Sequence, residues 1–366
     1  MSRREFLQQA QTYKPDKHNI SGFYISEKLD GQRCFWDGGI SRGLPTESIP
    51  WANTINPKTG ERKAKIKPIA TGLWSRYGNP VIAPDWWLNE LPQIFLDGEL
   101  FAGRGNFQTL RSIVSRDVPD DRWRQVEFAV YGTPPTTKLF QQGEIKNSNF
   151  HSTISPDLIA GFIAKRQYAG VALAENIQCG TFTEELSFLN SALPCEGVVH
   201  AHRHELLSPD RKQAEATMTR WMDRVMDLGG EGLVMRKPDS IWTPKRVHEC
   251  VKMKPFKDDC GIVTGFTSGS LTDKGSKARG MIGALILDYN GMRLELSGMN
   301  YGDERAFDDA NGTDGAFESY AWEHPGVDMP AGCQGKTFKV GDKVEFRYRE
   351  LSDEGLPKEA RYYRGV

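Results

Sequence analysis

Lys28 stands two residues before an Asp30-Gly31 turn in the stretch SEKLDGQRCFWDGG, with Arg33 five residues further on. A neutral lysine amine is a strong nucleophile, but with its usual pKa of about 10.4 it is protonated at neutral pH, so neighbouring cations or an apolar pocket must activate it. The chain offers such cations: Arg33, and the pair Lys252 and Lys254 in VKMKP, whose alternation with apolar residues predicts that both share one face of a strand. Carboxylates recur beside glycine where apolar runs open or close, as Asp97 and Glu99 in IFLDGELF and as Glu231 in GGEGLVMRKP. One nucleophilic lysine, several fixed cations and separated carboxylates suit phosphoryl or nucleotidyl transfer, with cations on the phosphate oxygens and carboxylates on Mg2+.

The elements that must position these groups follow from the pattern of apolar residues. Residues 20 to 37 alternate apolar and polar, which predicts two strands joined by the turn at Asp30-Gly31 and puts Lys28 at a strand end. Residues of about 39 to 71 break the pattern with GLPTESIP and NPKTGERKAKIKP and read as an inserted loop. Ala214, Met218, Trp221, Met222, Val225 and Leu228 recur at helical spacing before Gly229-Gly230, with Ser208 as the expected N-cap and Pro209 in the first turn. From about residue 258 short strands separated by glycine, such as GMIGALILDYNG and MRLELSGM, predict a small closed β-barrel as a second domain. HAHRH at 200 to 204 puts three histidines at alternating positions, open either to a transition metal or to a half-exposed strand edge. Glu144, Glu175, Glu184 and Glu185 lie outside any motif and read as solvated. Trp86 and Trp87 read as core or interdomain packing residues, with nucleic-acid stacking the alternative.

Composition narrows the class. The 366 residues carry 47 Lys and Arg against 48 Asp and Glu, a formal charge of −1, so binding to a polyanion must come from local patches. One such patch is the loop, with Lys58, Arg62, Lys63, Lys65 and Lys67 against the single acid Glu61. No run approaches the roughly 18 apolar residues of a membrane span, and the N-terminal stretch lacks the apolar core of a signal peptide. The six cysteines form no C-x-x-C pair, which fits free thiols in a reducing compartment; a cytoplasmic, monomeric protein with no membrane contact is expected.

In order along the chain, K28-L-D-G-Q-R33, S75-R76-Y77-G78, D97-G98-E99-L100, the strand end FAVYG, E231-G-L-V-M-R236 and V251-K-M-K254 resemble the signature motifs of the ATP-dependent DNA ligases, within the covalent nucleotidyltransferase superfamily. The likeness runs from about residue 22 to the C-terminus and is nearest to the compact bacteriophage and bacterial type. The 27 residues before Lys28 leave no room for a further N-terminal DNA-binding domain, on that expectation. The resemblance implies an α+β chain: residues 1–257 would form an adenylyltransferase domain, ATP-grasp-like, with antiparallel sheets and helices, and residues 258–366 an OB-fold β-barrel. It implies sealing of 5′-phosphate/3′-hydroxyl nicks in duplex DNA, in repair, replication or recombination, with ATP and Mg2+. RNA ligation and GTP-dependent mRNA capping are the alternatives sharing the lysine and carboxylates.

Residue by residue, the resemblance makes Lys28 the nucleophile that holds AMP. Arg33 and Arg76 would touch the nucleotide sugar or the nick's 5′-phosphate, Arg76 being preferred to Arg42 because YGNPVIAP follows it. Glu99 would bind the ribose or a metal, Glu231 would serve Mg2+, and Lys252 and Lys254 would neutralise the α-phosphate. Tyr131 would stack on adenine rather than Phe128, since three steps along a strand put the two rings on opposite faces. Arg361 and Arg364 in GLPKEARYYRGV would orient pyrophosphate. The chain departs from the family's pattern at Ser26, where a carboxylate or amide often reads the base and Glu27 is the adjacent candidate, and at Gly132, where aspartate is usual.

Overall fold

The computed structural model describes residues 7–54, 61–63, 65–135, 156–171, 180–270, 278–308, 315–352 and 354–365. Glu144, Glu175 and Lys58 lie outside the described residues. The chain divides into two units, Met1–Met253 and Lys254–Val366.

Among its described residues the first unit has ten strands: β1 (Gln9–Thr12), β2 (Tyr24–Glu27), β3 (Gln32–Asp37), β4 (Leu73–Ser75), β5 (Phe95–Phe101), β6 (Glu127–Gly132), β7 (Val199–Ala201), β8 (Glu205–Leu206), β9 (Leu233–Arg236) and β10 (Arg246–Met253). They form two five-stranded sheets, ordered β1-β10-β9-β2-β8 and β4-β3-β5-β6-β7. Both sheets are mixed, because β1 runs parallel to β10 and β6 parallel to β7. The two strands flanking Asp30-Gly31 exist as expected, but they do not pair: β2 lies between β9 and β8, and β3 between β4 and β5. Lys28 thus sits on the crossing from one sheet to the other. Gly31 makes that crossing possible, since a Cβ there would run into the Leu100 carbonyl and come within 2.7 Å of the Glu99 Cγ.

Each sheet has its own cover. Helix α5 (Arg211–Asp227, fifth of the unit's helices after α1, Asp85–Leu88; α2, Phe107–Val114; α3, Pro156–Tyr168; and α4, Phe182–Ala192) lays Ala214, Met218, Met222 and Val225 onto Ile25, Leu233, Met235 and Val251 of the first sheet. That is the face the spacing predicts, although Leu228 is exposed. The helix cap is Asp210, whose side chain accepts from the Gln213 N–H at 2.9 Å, and not Ser208, which instead accepts from the Asp210 N–H at 3.1 Å. A Ser-Pro-Asp sequence contains two capping side chains, and spacing alone cannot choose between them.

In the second sheet β3 is buried on both faces. Cys34 and Trp36 join a core with Trp87, Leu96, Leu110, Trp123 and Phe128, whereas Phe35 joins another with Trp51, Trp74, Phe95 and Trp242. Ile40, Ile49, Trp51 and Ala70 of the segment 39–71 belong to the latter core, so this segment covers a sheet face and is more than an inserted loop. Its apolar residues are too irregularly spaced to give a periodic signal. Trp87 is fully buried and its Nε1 donates to the Val126 carbonyl at 2.8 Å, while the neighbouring Trp86 lies under Arg124.

The second unit contains β11 (Lys257–Ser268), β12 (Ile282–Tyr289), β13 (Met292–Leu296), β14 (Lys343–Tyr348), the short pair β15 (Glu350–Leu351) and β16 (Pro357–Lys358), and β17 (Arg361–Gly365), with one helix, α6 (Ala316–Glu323), among its described residues. Its five-stranded sheet runs β13-β12-β11-β14-β17 with every pairing antiparallel, around a core that includes Val263, Phe266, Leu285, Leu287 and Phe346. A closed barrel does not form among the described residues. Among the described residues β13 and β17 do not pair; just past β13, Ser297 bridges Arg361, and the Tyr362 N–H donates to the Ser297 carbonyl at 2.8 Å. Gly298, with φ +104°, follows that bridge.

Candidate functional site

A cavity of about 370 Å³ opens between the two sheets of the first unit. Its wall takes Ser26, Glu27, Val234, Arg236 and Lys252 from the first sheet, Arg33, Asp97, Glu99 and Tyr131 from the second, and Lys28 from the crossing between them. Residues separated by more than 200 positions are therefore brought to one place.

Lys28 is held from two sides. Its backbone N–H donates to the Gly232 carbonyl at 2.8 Å, and its ammonium forms an ion pair with the Glu231 carboxylate. Glu231 lies two residues before β9, so the pairing of β2 with β9 (Glu27 opposite Leu233) brings it beside Lys28. Glu99, opposite Arg33 in the β3–β5 register, accepts from the Tyr131 hydroxyl at 3.1 Å. Burial pushes the Glu99 carboxyl up to about 7, against the opposing pull of Lys28 and Arg33. Burial likewise holds the Tyr131 phenol well above its usual range, so it stays a donor.

Arg33 is locked rather than free to swing. Its guanidinium makes a bidentate contact with Asp97, Nε to Oδ1 at 2.9 Å and Nη2 to Oδ2 at 2.6 Å, and also donates to the Gln8 carbonyl. Burial works against that charge, and Asp97 outweighs it. Its guanidinium lies 5.7 Å from the Tyr131 ring centroid. Asp97, noted in the sequence only as a strand-end carboxylate, is thus the support of Arg33.

The remaining expected residues divide by position. Arg76 lines the cavity and stacks on Tyr77, whereas Arg42 pairs with Asp85 and Asn89 instead. Tyr131 lines the cavity while Phe128 is buried in the core, as the strand alternation predicts. Lys252 lies on β10, but that strand ends at Met253, so Lys254 is not part of it and falls in the second unit. The strand stops where the chain passes from one unit to the other, which a pattern of alternating residues does not reveal. Arg361 and Arg364 lie on β17 of the second unit, and Arg364 donates to Glu345 at 2.7 Å. In the basic segment Arg62 pairs with Glu47, Lys63 donates to Asn79 at 3.0 Å, Lys67 donates to the Arg116 carbonyl at 3.0 Å, and Lys65 is exposed.

Several site residues were not legible in the sequence. Arg104, between two glycines of positive φ, clamps the Glu27 carboxylate with bonds of 2.8 and 2.6 Å, so Glu27 meets the cavity already paired. Glu185 is not solvated: it is buried, accepts from the Thr133 N–H at 2.7 Å and pairs with Arg236 at 3.1 Å. Arg236 stacks 4.0 Å from the Phe182 ring centroid. A side chain at Gly132 would press on Glu185 and Asp97, so buried Glu185 occupies the room an aspartate there would need. Glu184 closes a capping box with Thr181 at the start of α4. The histidines of HAHRH do not form a strand edge of one kind: His202 and His204 line the cavity, their rings 5.5 Å apart. Burial lowers both, His204 to about 3. Among the described residues no group of three or more His, Cys, Asp or Glu could hold a metal. Mg2+ ordinarily takes one or two carboxylates plus substrate phosphates, a demand that Glu99 and Glu231 fit.

The Glu99 environment carries a stability signature. Its folded-state pKa of about 7 lies above the ordinary 4.5, so between those values the native state binds the proton that the unfolded chain has lost. Stability therefore falls as pH rises through this window, by about 3 kcal/mol at most, and Glu99→Gln does not share the fall. Urea unfolding of the ligand-free protein and this variant at pH 4.5 and 7.5 measures the difference; parallel pH profiles would show that the carboxyl is not desolvated.

No family model matches the chain. A DNA ligase of Haemophilus influenzae is 19% identical over 348 residues, covering 94% of this chain and 87% of that protein. Among solved structures, a Lig E DNA ligase described as binding DNA with a minimal scaffold is 22% identical with a TM-score of 0.57, covering 98% of both chains. A second, Pmar-Lig_Pre, is 17% identical with a TM-score of 0.53, covering 98% of this chain and 67% of that one. The chain has the fold of these DNA ligases.

Proposed function

We propose that this protein is an ATP-dependent DNA ligase that seals nicks in duplex DNA through a covalent lysyl-AMP. The observation that carries the reading is the convergence of Lys28, Glu99, Arg33, Tyr131 and Lys252 on one cavity, with Glu231 paired to Lys28. Lys28 Nζ attacks the α-phosphorus of ATP, and the bond to pyrophosphate breaks. A 5′-phosphate oxygen at the nick then displaces the lysine and takes the AMP. Finally the 3′-hydroxyl attacks that 5′-phosphate, closing the strand and releasing AMP.

This chain's residues divide the work by charge and position. Tyr131 offers a ring face to the base, Glu99 an acceptor to the ribose or a metal, and Lys252 a positive charge to the α-phosphate. Mg2+, when bound, supplies charge neutralisation at the phosphates. Glu231, engaged with it, would release the Lys28 amine from its ion pair. We assign Lys254, Arg361 and Arg364 of the second unit to the phosphates on the family resemblance alone, and the two units to the nucleotidyltransferase and OB-fold domains on the same ground. Incubation with labelled ATP or GTP, followed by denaturation and a search for a covalent adduct, tests the reading. An adduct with ATP that chases into sealed nicked DNA is expected; an adduct with GTP alone, or none, overturns it.

The basic segment would grip the duplex through phosphates, which suits an enzyme that must act on any sequence. Arg62 and Glu47 keep 67% and 49% of their side chains exposed, so their ion pair is worth at most about 1 kcal/mol and a phosphate can replace it. Replacing Lys58, Arg62, Lys63, Lys65 and Lys67 with glutamine should make the log-log salt dependence of nicked-DNA binding shallower by roughly three to four units. Charging by ATP should be nearly untouched. Parallel salt slopes with equal affinities for wild type and variant would remove the segment from the interface.

A further inference from the structure

The base-reading position two residues before Lys28 is occupied by Ser26, and Glu27 is clamped by Arg104, so neither supplies an obvious free carboxylate for the base. His202 offers what they do not. Its backbone N–H donates to the Val130 carbonyl at 2.7 Å, which seats it beside Tyr131, and its Nε2 lies 2.9 Å from the Glu27 carbonyl. The ring therefore spans from the strand carrying the aromatic face to the strand end carrying the nucleophile. A carbonyl oxygen can only accept, so Nε2 carries the proton in this contact and Nδ1 is left with a lone pair. The ring lines the cavity, and burial keeps it neutral, preserving that lone pair.

We propose that His202 is a specificity-determining residue, whose Nδ1 accepts a hydrogen bond from the exocyclic amine of adenine and so selects ATP over GTP. The proposal rests on the reading of the cavity as a nucleotide site. Adenine presents an amine donor at the position where guanine presents a carbonyl acceptor. Against a fixed acceptor the adenine edge gains a bond, whereas the guanine edge meets lone pair with lone pair and leaves both groups unsatisfied in a desolvated site. The neighbouring His204 holds the arrangement still: its Nδ1 donates to the His202 carbonyl at 2.8 Å, and its ring packs edge-on against Phe182.

The test uses ATP, GTP and purine riboside 5′-triphosphate, which lacks the amine but keeps the ring, sugar and phosphates. Binding is measured by calorimetry without divalent cation, and adduct formation is measured in parallel with Mg2+. Wild type should bind ATP about tenfold more tightly than the purine riboside analogue, a factor set by one hydrogen bond. In His202→Phe, which keeps an aromatic ring but no acceptor, the ratio should collapse towards one, and discrimination against GTP should fall with it. The ratio cancels any general loss of affinity, and His202→Ala serves the same measurement should the bulkier ring fail to fit. A wild-type ratio near one, or an unchanged ratio in the variants, overturns the assignment of His202 while leaving the ATP reading intact. No binding of ATP by wild type, with no adduct, would overturn the underlying reading as well.

Discussion

Lys28→Ala abolishes formation of the AMP adduct but leaves sealing of a nick that already carries AMP on its 5′-phosphate measurable, because the last step needs no attack by lysine. The expected loss is complete within detection, as no other amine of the cavity wall stands at the crossing between the sheets. Lys28→Arg fails too, since a guanidinium stays protonated and cannot act as a nucleophile. The substitution should leave the fold intact: the Lys28 side chain is 22% exposed, and the backbone bond to Gly232 does not depend on it. Gel analysis of denatured protein after incubation with labelled ATP gives the first arm, and sealing of a synthetic adenylylated nick gives the second. Wild-type adduct formation by the alanine variant would sink the assignment of the nucleophile.

Glu231→Ala is expected to slow Mg2+-dependent charging by two to three orders of magnitude, about the effect of removing one preorganised electrostatic partner from a reacting centre. Two roles are lost together, the partner that positions the amine and a carboxylate for the cation. The fold should survive, because the Lys28 side chain is 22% exposed and the ammonium left behind can turn to water. Far-UV circular dichroism and a thermal melt control for folding, and charging rates across a Mg2+ titration read the effect. If the variant charges at the wild-type rate at every Mg2+ concentration, Glu231 has no part in the metal site.

The sequence by itself was enough to determine the chemistry-bearing positions that sit within one element or beside one turn. Lys28 at a strand end, Tyr131 rather than Phe128 towards the cavity, and the buried stripe of α5 all follow from local rules, since strand alternation and helical spacing report which side of an element faces inward. Even Gly31 reads correctly as a turn glycine, although its reason, the close approach to Leu100 and Glu99, is tertiary.

What the tertiary structure alone decided is which distant groups complete one another. Glu27 finds Arg104, Glu185 finds Arg236, and His202 finds the Glu27 carbonyl across 175 positions, and none of these partners is marked by spacing because each pair is assembled by the packing of one element on another. The same cause sent β2 and β3 to different sheets, drew Ile49 and Trp51 of a Pro- and Lys-rich segment into a core, and left β13 and β17 of the second unit unpaired among the described residues. Periodicity records that a residue is buried; only the packing of one element on another records against what, and for an ionisable side chain that difference separates a solvated charge from a structural or functional one.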